Sequence, residues 1–212
     1  MSRQGGAWLA LELSGPLSTL AVSTAEGDLE RRFSGERGRA LLAEVEALLR
    51  DAAVARAALA GIVVGTGPGS YTGLRIACAA ARALGFALHT PVVGLSSFQA
   101  AALAGPEGED LHLVLDAYRD EVYHACYRRL GGFPQPRTPP RLLSRGAAAA
   151  VVPAGSWLLG DPGLCAAPVR LLAPQLAPRA AALLELLRLG GSLEPATPLY
   201  LRAALPRTAA RE

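Results

Sequence analysis

At 212 residues, with 51% hydrophobic content, the chain is long enough for one domain or two small lobes around a packed apolar core, which excludes a disordered tail. Its formal net charge is +3, and the basic residues, all arginine, are spread along the sequence, so no dense basic block interleaved with aromatics marks a nucleic-acid-binding stretch. The absence of lysine excludes Walker-type phosphate-loop chemistry and any Schiff base.

In chain order, Trp8 to Leu13 reads as a strand, Ser14-Gly15-Pro16 as a turn, Leu17 to Ser23 as a second strand and Leu29 to Phe33 as a third, an antiparallel meander. From Arg39 the period changes. Leu41, Leu42, Val45, Leu48, Leu49 and Ala52 follow the i, i+3, i+4, i+7 rule of an amphipathic helix. The apolar run from Leu59 predicts a buried strand ending near Thr66, followed by an alanine-rich helix from Thr72 to Leu88 and a short strand from Pro91 to Leu95. Leu111 to Asp116 and Glu121 to Tyr127 read as a hairpin that opens a second lobe. Residues 131–155, rich in proline, glycine and alanine, predict an exposed connection with one short helix. Trp157 to Asp161 reads as a strand and Pro178 to Leu189 as a helix, and no long internal repeat is visible.

Apolar runs such as Ala77 to Leu88 are interrupted by Arg82 and Gly85 and are too short to span a bilayer. With no signal-peptide pattern either, a cytoplasmic protein without membrane contact is expected. Cys78, Cys126 and Cys165 are odd in number and scattered, which suits reduced thiols rather than a disulfide framework or a zinc site. The spacing of His89, His112 and His124 offers no metal-binding helix motif, so no metal is expected.

The segment Gly65-Thr66-Gly67-Pro68-Gly69-Ser70-Tyr71-Thr72-Gly73 carries the strand into the helix. Its glycines permit positive φ and close approach, Pro68 stiffens the turn, and Ser70 or Thr72 can cap the helix. Such turns present backbone N–H groups to anions. The spacing here nevertheless fits neither a Walker loop, nor a dinucleotide fingerprint, nor a nucleophile elbow, which leaves tight helix-on-strand packing as the simpler reading.

Three strands, helix, strand, helix, strand is the order of the ribonuclease H-like half shared by actin-like proteins, so an α/β fold of two lobes is expected: residues 1–105 as the first, and 106–212 as a smaller, reduced second lobe. The stretch Gly67 to Ile76, the helix opening Arg39-Ala40-Leu41-Leu42, the hairpin Leu115 to Tyr123 and the segment Pro198-Leu199-Tyr200-Leu201-Arg202 together resemble the TsaB (YeaZ) family, in order and over nearly the whole chain.

The resemblance implies a bacterial cytoplasmic protein of the actin-like class, needed to form N6-threonylcarbamoyladenosine at position 37 of tRNAs that read codons beginning with A. It implies TsaD as catalytic partner, TsaE as an ATPase docking on the pair, a homodimer when TsaD is absent, and tRNA reached only through the complex. It also implies a scaffold with no catalytic residues, whose partner surface lies on the first two helices. Leu41, Leu42, Val45, Leu48, Leu74, Arg75, Cys78, Ala81 and Arg82 are the expected interface residues.

An actin-like clasp sets an acidic first turn and a glycine-bearing second loop on ATP. Here Glu12, Ser14 and Asp116 are the corresponding positions, but Pro16 removes a donor N–H and Asp116-Ala117-Tyr118-Arg119 lacks the glycine. No tightly bound cofactor is expected, ATP or ADP being confined to an interface between chains. Glu12 and Asp116 meeting as an acid-base pair is the alternative to their binding turn amides. The chain departs from the family where Glu12-Leu13-Ser14 replaces an Asp-Thr-Ser turn and Gly38-Arg39-Ala40 replaces a His-Ser pair. The alternatives to a scaffold are an actin-like ATP-binding kinase or transferase acting alone, and a metallopeptidase.

Overall fold

The computed structural model describes residues 6–34, 37–165, 168–172 and 178–202. The first sheet begins with the antiparallel meander β1 (Ala7–Glu12), β2 (Ser18–Ser23) and β3 (Asp28–Phe33). Helix α1 (Arg37–Asp51) leads to β4 (Leu59–Gly65), and α2 (Tyr71–Leu88) leads to β5 (Val92–Leu95). Both of these strands run parallel to β1, so the spatial order is β3-β2-β1-β4-β5. Central β4 is covered on both faces, which is why Ile62, Val63 and Val64 form an unbroken apolar run rather than an alternating one.

After α3 (Ser97–Ala101), the second sheet repeats the plan. Strands β6 (Asp110–Tyr118), β7 (Glu121–Leu130) and β8 (Phe133–Ser144) form an antiparallel meander, α4 (Arg145–Val151) follows, and β9 (Trp157–Gly160) and β10 (Arg170–Leu171) pair in parallel beyond β6. The spatial order β10-β9-β6-β7-β8 is that of the first sheet. The two halves are therefore one topology used twice, although no repeat is visible in the sequence.

Residues 131–155 depart from the sequence expectation: about half of the expected connection is β8, twelve residues long. Its Pro134, Pro136, Pro139 and Pro140 break the sequence signature of a strand. They are tolerated because β8 is the sheet edge, where a missing N–H costs no ladder bond on the open side, and the pairing with β7 shifts register around Cys126. The expected short helix is α4.

Helix α5 (Ala180–Arg188) comes from the second half of the chain but packs on the first sheet. Its Leu183, Leu184 and Leu186 join Ala10, Ala21, Val63 and Leu95 on the face opposite α1 and α2. The chain passes from the first sheet to the second between α3 and β6, while α5 crosses back to the first. None of the helices among the described residues is long and apolar enough to cross a membrane.

Candidate functional site

Four segments converge where the two sheets meet: the end of β1, the turn between β4 and α2, the β6–β7 hairpin turn, and the chain following α5. The segment after α5 acts as a strap. Glu194 exchanges backbone bonds with Gly94 on β5 (2.7 and 3.0 Å), its Oε2 accepts from the Thr66 hydroxyl (3.1 Å), and the Leu199 amide donates to the Thr66 carbonyl (2.8 Å). Next, the Tyr200 ring stacks on Tyr71 at 4.9 Å, and Arg202 donates to the carbonyls of Ala117 (3.0 Å) and Tyr118 (3.2 Å) and pairs with Glu121. The strap therefore ties the first sheet to the hairpin of the second.

The β4–α2 turn packs against β1's end. Ser70 caps α2, its hydroxyl accepting from the Gly73 amide at 3.2 Å, and its own amide donates to the Ser14 carbonyl at 2.7 Å. Gly69 sits so close to Ser14 that a Cβ would run into the Ser14 carbonyl, and a Cβ on Gly67 would press on Leu74. Gly67–Pro68 is a cis peptide and the Gly67 amide donates to Ser97 Oγ at 3.1 Å. Tyr71 and Thr72 open α2 on the exposed side. The glycines are thus used for packing between turn and strand, the simpler of the two readings available from sequence.

Glu12 lies beneath this turn, fully buried, with Oε1 accepting from the Ser14 amide at 2.7 Å. Its Oε2 and the Ser14 hydroxyl lack a well-formed hydrogen bond among the described residues. Burial pushes the Glu12 carboxyl above its ordinary range, and the nearby Ser14 and Ser97 only partly offset that push. Asp116, the other acidic position, is exposed and makes its own local contacts: it accepts from the Tyr118 amide (3.1 Å) and pairs with Arg145 (3.1 Å). Each carboxylate thus serves a turn amide two residues ahead, and among the described residues no hydrogen bond or ion pair links the two.

The β6–β7 turn is strained. Tyr118, Arg119 and Asp120 all have φ near +60°, a left-handed conformation that costs roughly 1–2 kcal/mol for each side-chain-bearing residue. Arginines hold it from both sides. Arg202 grips its carbonyls, while Arg145 contacts Asp116 and Asp120 and donates its amide to the Asp120 carbonyl at 3.0 Å.

The expected partner surface on α1 and α2 divides in two. Leu41, Val45, Leu48, Leu74, Cys78 and Ala81 are sealed in the chain's own core, because the i, i+3, i+4, i+7 stripe of each helix is what packs on the sheet. Leu42 (54% exposed), Arg75 and Arg82 remain outside. Phe86, 85% exposed, was missed from sequence, as was exposed Tyr71 as a contact side chain. Both share α2's outer stripe with Arg75 and Arg82, at steps of four, seven and four.

Two histidines that sequence spacing treats as separate come together. His112 and His124 lie on adjacent antiparallel strands, with Nδ1 and Nε2 3.1 Å apart. The signal was the hairpin itself, which brings residues twelve apart to diagonal positions on one face. Among the described residues no cluster of three or more His, Cys, Asp or Glu is arranged to hold a metal.

Comparison with known proteins gives the chain's relatives. The model of the TsaD family, tRNA N6-adenosine threonylcarbamoyltransferase, matches residues 35–137. An uncharacterized protein of Mycobacterium tuberculosis is 44% identical over 99 residues, 47% of this chain and 44% of that protein. The tRNA threonylcarbamoyladenosine biosynthesis protein TsaB of Bacillus subtilis is 38% identical over 89 residues, 42% of this chain and 39% of that protein. The chain thus spans less than half the length of these curated relatives. The solved structure of YeaZ from Pseudomonas aeruginosa superposes with a TM-score of 0.79 at 29% identity, covering 92% of this chain and all of that one. By matching segments and by superposition over nearly the whole chain, the protein is similar to the TsaB (YeaZ) family.

Proposed function

We propose that this protein takes part in the biosynthesis of threonylcarbamoyladenosine in tRNA as a scaffold subunit, docking a TsaD partner through the outer faces of α1 and α2. The observation that carries this reading is Phe86. A phenylalanine left 85% exposed on a well-formed helix, with exposed Arg82 one turn before it and half-exposed Leu42 on α1, is a combination of side chains that rewards burial in an interface. The names of the relatives supply the reaction class. In the absence of TsaD the same face closes a homodimer, since one patch can serve itself through a twofold axis.

The polar groups at the sheet junction support a non-catalytic role for this chain. Glu12 is sealed under the β4–α2 turn and turned toward the Ser14 amide, and Ser14 is pressed against Gly69. On this reading ATP or ADP binds where chains meet rather than beneath the strap, TsaE docks on the assembled pair, and the complex works in the cytoplasm.

The test is light scattering of the chain alone and mixed with TsaD from the same source. The expected result is a dimer that exchanges for a heteromeric complex. Phe86→Glu and Leu42→Glu should each weaken both assemblies by roughly thirtyfold or more, the scale of an interface hot spot. A chain that stays monomeric and ignores TsaD contradicts the proposal.

A further inference from the structure

Three of the chain's five tyrosines are exposed at the strap and at the hairpin turn it holds. Tyr71, Tyr200 and Tyr118 are 57%, 47% and 73% exposed. Tyr71 and Tyr200 stack on one another, and Arg75 lies over the Tyr71 ring at 5.3 Å while donating to its hydroxyl at 2.8 Å. Two residues past Tyr200, Arg202 holds the carbonyls of Ala117 and Tyr118, which fixes the hairpin turn within one arginine side chain of the strap.

Four arginines, Arg75, Arg119, Arg145 and Arg202, stand against three carboxylates on this ridge, which leaves a small positive excess. Asp116 and Asp120 face Arg145, and Glu121 faces Arg202. Arg119, at the exposed tip, has no carboxylate partner among the described residues, and Arg75 faces an aromatic ring. The capped N-terminus of α2, beside Tyr71, adds partial positive charge. The turn that carries Tyr118 and Arg119 is held in its strained shape from both sides, so little conformational freedom is left to lose on binding.

We infer that the ridge of Tyr71, Tyr200 and Tyr118, with Arg75 and Arg119, is a contact site for single-stranded RNA. Exposed rings stack on unpaired bases, and guanidinium groups neutralise the neighbouring phosphates. Exposed rings interleaved with arginines that outnumber the local carboxylates suit a polyanion with flat bases better than an acidic protein surface, which would supply no stacking partner. The inference rests on the proposed function only for naming the RNA as the tRNA the complex acts on. It places one RNA contact on this chain itself. Sequence could not reveal it, because its residues lie far apart at 71, 75, 118, 119 and 200.

The experiment uses fluorescence anisotropy with a labelled, unmodified tRNA and with a single-stranded oligonucleotide of its anticodon-loop sequence, on the chain alone and mixed with TsaD. Light scattering of every variant is run alongside. Tyr118→Ala is expected to weaken RNA binding by about five- to a hundredfold, the scale of losing one stacked base, while leaving complex formation intact. Arg119→Glu should weaken it too and reduce the slope of log affinity against log salt by about one. RNA affinity and salt slope unchanged in both variants would overturn the inference. Loss of TsaD binding by Tyr118→Ala would also overturn it, by making the ridge a protein contact. If the unaltered chain binds no TsaD, the proposed function fails, and the ridge is still judged by the chain's own RNA affinity.

Discussion

The Nδ1 of His112 and the Nε2 of His124 lie 3.1 Å apart inside the second sheet, both rings are buried, and the other ring nitrogen of His124 has no hydrogen-bond partner among the described residues. Burial, helped by the neighbouring His112 and Arg141, pushes His124 down to about 4. His112 is lowered as well, mainly by burial, with Asp110 pulling the other way.

Both shifts have the same sign for stability. Between about pH 4 and 6.5 the unfolded chain binds more protons than the folded one, so stability falls as pH drops through that window. The contribution of His124 amounts to at most about 3 kcal/mol. Thermal melts at pH 7 and pH 5 should show a marked fall in Tm, and His124→Phe should flatten that dependence. Equal slopes in the two proteins would show that the pair does not control acid stability.

Glu12 titrates in the opposite sense. Its raised folded pKa means that the folded state holds a proton which the unfolded carboxyl releases, so this position weakens the fold as pH rises above the ordinary carboxylate range. Glu12→Gln should therefore be at least as stable as the parent at pH 8. Glu12→Ala should cost about 1–3 kcal/mol, because the Ser14 amide loses its acceptor. Urea denaturation of the three proteins at one pH decides it, and a Gln variant less stable than the Ala variant would refute the assignment.

Gly65 faces the same carboxyl. A Cβ there would overlap Glu12 Oε2 and crowd Ser97 Oγ. Gly65→Ala is expected to destabilise by about 1–3 kcal/mol, as overpacking does, and the double variant with Glu12→Ala should recover part of that loss. Strictly additive effects in the double-mutant cycle would mean that the two side chains do not meet.

Arg202 is expected to act locally. Arg202→Ala removes the donor to the Ala117 and Tyr118 carbonyls and the partner of Glu121, leaving the strained turn held from one side. Hydrogen exchange should speed up over residues 117–121 with little change in the first sheet, and stability should fall by about 1 kcal/mol. Unchanged exchange in the hairpin would show that Arg145 suffices.

Much of the fold was legible in the sequence because its first half is locally consistent. The meander, the period change at Arg39 and the apolar run at Ile62 each point to one element. The second half was harder. Strand β8 is hidden by prolines that only an edge position tolerates, and β10 is two residues long. The duplicated topology left no trace because the two sheets bury different side chains in the same order. At the candidate site, the stripe of α1 and α2 was found, but periodicity alone does not separate the residues a helix spends on its own sheet, such as Leu41 and Cys78, from those it leaves for a partner, such as Leu42 and Phe86. The pairing of His112 with His124 and of Tyr71 with Tyr200 depends on strand register and on the course of the strap, neither of which is local.

The most direct test of the central claim is reconstitution of tRNA modification. TsaD and the remaining components from the same source are incubated with unmodified tRNA, with and without this chain, and threonylcarbamoyladenosine is measured by mass spectrometry of the hydrolysed nucleosides. Modification that requires the chain and is lost with Phe86→Glu or Leu42→Glu is the expected result. Modification proceeding equally well without the chain would contradict the account.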